Sequence, residues 1–264
     1  MRYDMPIANT GEVEIYYEEK GAGQPIVFLH GMTLDLRMWR RQVEYFSLNY
    51  RVITYDSRGH GRSSCPETGY ALSDRVRDLK NLAGILNLPR FHLVGLSMGG
   101  ATALSYAIDN QSSLLSLTLV DTGAAGFQPP SKIRDLREVA LTLGVEEAKR
   151  RWIRTTLFYY ANRDEDLRRE LAEMMAGHCG RLWLDPKRGT YPQRDDVELS
   201  GNLTLPTLIF IGEKDRYFLP LAKTLHRNIA TSELDITPGV GHMLNMEAPD
   251  RFNYRLEQFL QRNA

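Results

Sequence analysis

One strand–turn–helix segment, FHLVGLSMGG, restricts the fold of this chain more than any other part of its sequence. Residues 91–96 are mostly apolar, as in a strand covered on both faces, and residues 101–107 are the small and apolar residues of a closely packed helix. Ser97 lies at the bend between them. Gly95 and Gly99 leave room for so sharp a turn because neither carries a side chain. This G-x-S-x-G pattern, in this context, predicts a nucleophilic serine.

Length and charge limit the class of protein. A chain of 264 residues can bury one large core. Lys plus Arg and Asp plus Glu both total 33, so neither nucleic acid nor an anionic membrane is an expected partner. The N-terminus lacks a signal-peptide pattern, and no segment is long enough to span a bilayer. Cys65 and Cys179 lie far apart and lack metal-ligand spacing, so we expect unpaired thiols, no metal site and a cytoplasmic protein.

Strand and helix patterns alternate along most of the chain, which predicts a largely parallel sheet. Before them, the turn signal NTG separates residues 2–8 from residues 12–19 and predicts a hairpin at the sheet edge. A helix over 72–88 is expected to have Ser73 as its N-cap. The other strands are predicted at 26–29, 52–55, 91–96, 115–120, 207–211 and 234–236, and further helices at 219–229 and 249–261.

The alternation stops after residue 121 and resumes at about residue 200. In between, helical patterns follow one another without a strand, at 131–143, 145–158 and 164–178. We interpret this region as a helical insertion, which divides the chain into residues 1–121, 122–200 and 201–264. Its aromatic residues, Trp152 and Phe158 among them, either pack the insertion onto the main domain or line a pocket beneath it.

A catalytic serine needs a base, and the base needs a partner that fixes its tautomer. His242 lies in PGVGH after the last predicted strand, and Asp215 ends TLIFIGEKD, beyond the strand before it. Loops at the carboxyl ends of parallel strands meet at one edge of the sheet, where Ser97 also lies. The chain order Ser, Asp, His is the order associated with a G-x-S-x-G bend between a strand and a helix, the nucleophile elbow. Asp121, after the preceding strand, and Glu213 are rival candidates for the acid.

Attack by a serine creates an oxyanion that needs preorganised donors. One expected donor is the backbone N–H of Met98, directly after the nucleophile. The second is expected from the turn His30-Gly31-Met32, where the glycine lets the Met32 N–H point inward. His30 itself is interpreted as a residue that stabilises this turn.

Six motifs together resemble the α/β-hydrolase superfamily: LHGM at 29–32, Trp39, YDSRGHGRS at 55–63, GLSMGG at 95–100, GEKD at 212–215 and GVGH at 239–242. The resemblance implies an α/β-hydrolase fold with a mostly parallel sheet of about eight strands. It also implies a helical cap after the sixth strand and no cofactor. Superfamily members with an aspartate nucleophile are disfavoured because position 97 is serine.

Within that superfamily, DLRMW at 35–39 and the two glycine-rich motifs are similar to 3-oxoadipate enol-lactonases and to many bacterial carboxylesterases. The resemblance implies hydrolysis of a small carboxylic ester or lactone through an acyl-serine intermediate. Two alternatives of the same fold stay open: a carbon–carbon bond hydrolase, and a ligand-binding receptor with little turnover. A dinucleotide-binding protein is excluded because GAG at 21–23 precedes a strand instead of opening a helix.

The expected partner is a small ester or lactone, and a homo-oligomer stays open. Four residues are candidates for the substrate pocket: Trp39, Trp152, Phe158 and Met243. The sequence does not indicate the natural substrate, because the shape of the pocket depends on how the insertion packs.

Overall fold

The computed structural model describes residues 6–128, 136–187 and 194–263, which contain one eight-stranded sheet. Its strands are β1 (Ile7–Asn9), β2 (Glu14–Lys20), β3 (Pro25–Leu29), β4 (Arg51–Tyr55), β5 (Phe91–Leu96), β6 (Leu114–Val120), β7 (Thr207–Gly212) and β8 (Ser232–Thr237). Across the sheet the order is β1-β2-β4-β3-β5-β6-β7-β8. Strand β2 is antiparallel to β1 and β4, and the other neighbours are parallel. The predicted hairpin, apart from residues 2–5, which lie outside the described ranges, and the parallel sheet are confirmed.

The strands in the middle of the sheet are apolar because helices cover both faces. Every residue of β3 (PIVFL), β5 (FHLVGL) and β7 (TLIFIG) is buried. Strands near the edges differ, since β2 ends in the exposed run EEK and β8 leaves most of its residues partly exposed. Of the strands whose carboxyl ends carry the candidate site, β5 and β7 are therefore completely buried, whereas β8, which precedes His242, lies at the edge of the sheet.

The helices follow the predicted alternation on both sides of the insertion. They are α1 (Arg40–Phe46), α2 (Leu72–Ile85), α3 (Met98–Asn110), α4 (Leu136–Thr142), α5 (Val145–Trp152), α6 (Glu165–Ala176), α7 (Arg181–Leu184), α8 (Asp196–Leu199), α9 (Leu219–Asn228), α10 (Leu244–Glu247) and α11 (Pro249–Arg262). In α11, Phe252, Leu256, Phe259 and Leu260 recur at helical spacing and all are buried. Within the described ranges, no helix is long and apolar enough to cross a membrane.

The start of α2 differs from the prediction. Ala71 is the N-cap residue, and the Asp74 carboxylate accepts a hydrogen bond from its N–H at 3.0 Å. A carboxylate at this position satisfies the N-cap N–H and also suits the positive end of the helix dipole. Ser73 lies inside the first turn, so the prediction of Ser73 as the N-cap is wrong.

Between β6 and β7 the described residues form helices and no strand. Helices α4 to α6 correspond to the three predicted ones, although residues 131–135 lie outside the described ranges. Helix α5 ends at Trp152, and a 3-10 turn at Thr156–Phe158 follows it. The short helices α7 and α8 were not predicted, because four residues are too few to show a helical period.

The insertion lies against loops that follow β3 and β4. The indole N–H of Trp152 donates to Thr33 Oγ1 at 2.7 Å, and the Asp185 carboxylate accepts from the N–H of Tyr70 at 2.9 Å. Tyr160 touches the loop after β8, since a Cβ built on Gly241 would lie 3.0 Å from Tyr160 Cδ2. These contacts put the insertion at the carboxyl edge of the sheet.

Cys65 and Cys179 form a disulfide, so the prediction of two unpaired thiols is wrong. They are 114 residues apart in the sequence, but their Cα atoms are 6.4 Å apart. Cys65 follows β4 and Cys179 follows α6, and the N–H of Cys179 also donates to Gly59 O at 3.1 Å. The packing of the insertion against the loop after β4 thus brings together two cysteines that are far apart in the sequence. A reducing, cytoplasmic compartment was predicted because the two thiols were expected to be unpaired, so the disulfide removes the basis of that prediction.

Candidate active site

Ser97 forms the bend between β5 and α3. Its backbone has φ 55° and ψ −110°, a combination rarely adopted by a residue with a side chain. The flanking glycines make this sharp bend possible, because a side chain at either position would clash. A Cβ on Gly95 would lie 2.4 Å from Gly99 O, and one on Gly99 would lie 2.4 Å from Leu29 O. The N–H of Ser97 donates to Val120 O at 2.9 Å, which ties the bend to β6.

His242 and Asp215 form a buried pair at the ends of β8 and β7. Nδ1 of His242 is 2.6 Å from Asp215 Oδ2, and both side chains are almost completely inaccessible. The other oxygen of Asp215 accepts from the N–H groups of Tyr217 at 3.2 Å and Phe218 at 3.3 Å. Since Nδ1 donates to the carboxylate, the neutral imidazole keeps Nε2 as its acceptor.

Phe218 packs against the imidazole and was missed by the sequence analysis. Its ring stacks on that of His242 with centroids 5.1 Å apart. The same ring approaches Gly123, where a Cβ would lie 3.9 Å from Phe218 Cε1, and the Gly123 N–H donates to Ser97 O at 3.2 Å. No local pattern in the sequence indicates this contact, because Phe218 and His242 follow different strands.

The loop that carries His242 is held by Glu247. The two carboxylate oxygens of Glu247 accept from the N–H of Gly241 at 2.7 Å and from the N–H of Met243 at 3.1 Å. Burial raises the pKa of this carboxyl, and the backbone donors oppose the rise. Gly212 allows the loop to approach β7, because a Cβ there would lie 2.1 Å from Gly241 O. The backbone on both sides of His242 is thus held by Glu247, which limits how the imidazole ring can be oriented.

Asp121, the rival acid, is also buried beside this pair. Its backbone has φ 42°, and its Oδ1 accepts from the N–H of Gly212 at 2.9 Å. Burial, followed by the charge of Asp215, raises the pKa of Asp121 well above its usual range. Among the described residues, Asp121, Asp215 and His242 are the group whose ligand atoms, within 4.8 Å of one another, could hold a metal ion. Two of those atoms already pair with each other. Glu213, the other rival, is exposed.

The loop after β3 lies beside the serine. A Cβ on Gly31 would be 3.7 Å from Ser97 Cβ. His30 holds the turn, since its Nε2 accepts from the N–H of Ser57 at 2.9 Å and its Nδ1 lies 2.8 Å from Gly31 O. On the other side, Met98 is the first residue of α3, where a backbone N–H has no partner within the helix. The two predicted donor segments thus flank Ser97.

The four candidate pocket residues are packed side chains. Trp39 is inaccessible to solvent and packs between Phe28 and Phe252, with ring centroids 4.9 and 6.0 Å apart. Trp39 thus belongs to the packed core of the main domain, and its role in the substrate pocket stays a prediction. Trp152 and Phe158 contact each other within the insertion, at a centroid distance of 5.7 Å. They and Met243 are at most 3% exposed.

With this geometry established, comparison with known proteins defines the family. Residues 24–249 match the family model described as the alpha/beta hydrolase fold, and this protein belongs to that family. The elbow, the buried Asp–His pair and the sheet order all lie inside the matched range, apart from β1 and β2.

Three relatives indicate the range of proteins that this chain resembles. It is 31% identical to a Synechocystis protein named "Putative non-heme chloroperoxidase", over 96% of this chain and 97% of that one. It is 27% identical to 3-oxoadipate enol-lactonase 2 of Acinetobacter baylyi, over 90% of this chain and 88% of that one. A solved structure of a thermophilic esterase from Thermogutta terrifontis superposes with a TM-score of 0.85 at 27% identity, covering 97% of this chain and 96% of that one.

Proposed function

We propose that this protein hydrolyses a small carboxylic ester or lactone through an acyl intermediate on Ser97. The observation that carries the proposal is the buried 2.6 Å hydrogen bond between Asp215 and His242, at the sheet edge where Ser97 forms a strained bend. An imidazole with its Nδ1 proton fixed by a carboxylate is equipped to accept a proton at Nε2. The similarity to an esterase and to an enol-lactonase supports the same conclusion.

The reaction proceeds in two stages. Nε2 of His242 takes the proton of the Ser97 hydroxyl as Oγ attacks the substrate carbonyl carbon. The backbone N–H groups of Met98 and Met32 donate to the resulting oxyanion. The imidazolium, stabilised by Asp215, then protonates the leaving alkoxide. Water repeats the sequence on the acyl-enzyme and releases the carboxylic acid.

We assign residues 122–200 the role of a cap that selects the substrate. Trp152 touches the loop after β3, and Tyr160 touches the loop after β8, so the insertion lies against loops on both sides of Ser97. An apolar pocket discriminates by about 1–3 kcal/mol for each methylene group. We therefore expect a graded preference for small or medium acyl groups, with long-chain lipids as poor substrates.

The first experiment tests the nucleophile. The wild-type protein is treated with a fluorophosphonate and the modified peptide is identified by mass spectrometry, and hydrolysis of p-nitrophenyl butyrate is measured in parallel. We expect the adduct on Ser97, and we expect Ser97→Ala to retain at most about one part in 10³ of kcat. Labelling of a different serine would contradict the assignment.

The second experiment separates the substrate classes. Rates with an enol-lactone and with p-nitrophenyl butyrate are measured on one preparation, with Ser97→Ala as the blank. A faster lactone rate identifies a lactonase, whereas a faster ester rate identifies a general carboxylesterase. Failure of both substrates would favour a carbon–carbon bond hydrolase or a receptor of the same fold.

A further inference from the structure

Thr33 follows the expected oxyanion donor Met32 and has an unusual backbone. It is fully buried and has φ 67°, in the left-handed region that β-branched residues rarely occupy. Such a conformation persists only where surrounding contacts hold it, and it is concentrated at functional sites. The contacts of Thr33 therefore reveal what this conformation serves.

The peptide between Gly31 and Met32 is held by its carbonyl group. Gly31 O lies 2.8 Å from Nδ1 of His30 and accepts from the N–H of Leu34 at 3.2 Å. Since the Nε2 of His30 accepts a backbone N–H, Nδ1 carries the proton and donates to Gly31 O. In a trans peptide the N–H points opposite to the carbonyl. Holding Gly31 O therefore directs the Met32 N–H away from His30.

The next peptide, between Met32 and Thr33, is held at both ends. The N–H of Thr33 donates to Nε2 of His60 at 3.1 Å, and Nδ1 of His60 lies 2.9 Å from Arg58 O. The carbonyl of Met32 accepts from the hydroxyl of Thr33 at 2.5 Å. Both torsions of Met32 are thus set by fixed neighbours, and two of the four contacts belong to Thr33.

The hydroxyl of Thr33 also connects this loop to the insertion. It accepts from the indole N–H of Trp152 at 2.7 Å. Trp152 ends α5 and packs against Phe158 and Trp183, at centroid distances of 5.7 and 6.5 Å. A displacement of the Trp152 indole N–H therefore acts on Thr33 Oγ1 and, through this hydroxyl, on the carbonyl of Met32.

We propose that Thr33 is a positioning residue that makes the oxyanion donor at Met32 depend on how the insertion is seated, through the chain Trp152–Thr33–Met32. This inference rests on the proposed serine-hydrolase function. Because the oxyanion forms only after attack, loss of the link lowers kcat and leaves KM nearly unchanged.

The test compares variants that remove one hydrogen-bonding group each. Thr33→Val keeps the shape and deletes the hydroxyl, whereas Thr33→Ser keeps the hydroxyl. Trp152→Phe deletes the indole N–H that donates to Thr33. Trp183→Phe is the matched control, because its equally buried indole N–H has no acceptor among the described residues. Rates with p-nitrophenyl butyrate are divided by the concentration of sites that a fluorophosphonate labels, so a misfolded fraction does not count.

We expect Thr33→Val and Trp152→Phe each to lower kcat by about 10- to 100-fold, with KM within about threefold of wild type. Thr33→Ser should recover at least a third of the wild-type kcat. The double variant, which combines Thr33→Val with Trp152→Phe, should be no slower than Thr33→Val alone, since both changes remove the same link. Trp183→Phe should stay within about threefold of wild type.

Three results would overturn the inference. A kcat that Thr33→Val leaves unchanged removes the positioning role, and a Trp183→Phe loss equal to that of Trp152→Phe assigns the effect to packing. Multiplying losses in the double variant would show that Trp152 acts independently of Thr33. If hydrolysis by the wild-type protein does not depend on Ser97, the proposed function itself fails. That result differs from the three above, so the two failures are distinguishable.

Discussion

Two aspartates at the carboxyl edge of the sheet, Asp121 and Asp215, have the same side chain in different surroundings. Asp215 accepts hydrogen bonds from His242 and from the backbone N–H groups of Tyr217 and Phe218. Asp121 is fully buried close to the charge of Asp215, which raises its pKa. We therefore expect Asp215, which is bonded to His242, to be the partner of the imidazole in catalysis, and not Asp121.

This difference predicts unequal effects of the same substitution. Asp215→Asn should lower kcat by about 10³- to 10⁴-fold, because the amide favours the wrong tautomer of His242. Asp121→Asn keeps an oxygen that can accept from the N–H of Gly212 and leaves the bond between Asp215 and His242 in place, so kcat should change less than about tenfold. Steady-state kinetics with p-nitrophenyl butyrate, and circular dichroism as the folding control, check both variants. A larger loss for Asp121→Asn would make Asp121 the acid.

Local sequence was sufficient to select Ser97, Asp215 and His242 as candidates, since each follows an apolar strand in a recognisable motif. It was not sufficient for Phe218 or Thr33. Their roles depend on contacts with His242 and Trp152, and no local pattern records which distant side chain a residue meets. Trp39 packs in the core, and an aromatic residue near a motif can pack in a core as readily as it can line a pocket, so local sequence does not separate the two roles.

At the scale of elements, the insertion was the hardest part to predict. The strands are short apolar runs between turns, so the bounds of β2 to β8 agree with the prediction to within one or two residues. The insertion instead contains the four-residue helices α7 and α8, and its place on the main domain is set by side chains such as Asp185 and Cys179. Pattern reading identified the insertion and could not orient it.

The disulfide predicts how strongly the insertion is anchored. A disulfide typically contributes about 2–4 kcal/mol to the free energy of unfolding. A reducing agent should therefore lower the Tm of the wild-type protein measured by circular dichroism. The variant Cys65→Ser should start from the lower Tm and should not respond to the reducing agent. Two free thiols in the untreated native protein would contradict the bond.

At the scale of the whole molecule, a buried histidine makes stability depend on pH. His92 lies inside β5, where Nδ1 is 2.8 Å from Ser116 Oγ, and burial lowers its pKa from 6.5 to about 4. Between those values the unfolded chain binds a proton that the folded protein does not. Stability linked to His92 is therefore complete above pH 6.5 and is lost as the pH falls toward 4.

Between pH 7 and pH 5, His92 should account for a loss of about 2 kcal/mol in the free energy of unfolding. Urea unfolding at the two pH values measures this loss, and His92→Gln provides the comparison, because its amide does not titrate. We expect the decrease to be about 2 kcal/mol smaller in the variant than in the wild-type protein. Equal decreases would show that His92 is protonated in the folded state.

The bond between Cys65 and Cys179 closes a covalent ring around a large part of the molecule. The ring includes β5, α3 and β6 and then continues through α4, α5 and α6 of the insertion. A protease that cuts the chain once inside this ring opens it without dividing the molecule, so both new ends stay attached to the same sheet. A single cut in the insertion therefore leaves both fragments covalently joined. Release of α4, α5 or α6 requires a second cut inside the ring or reduction of the disulfide.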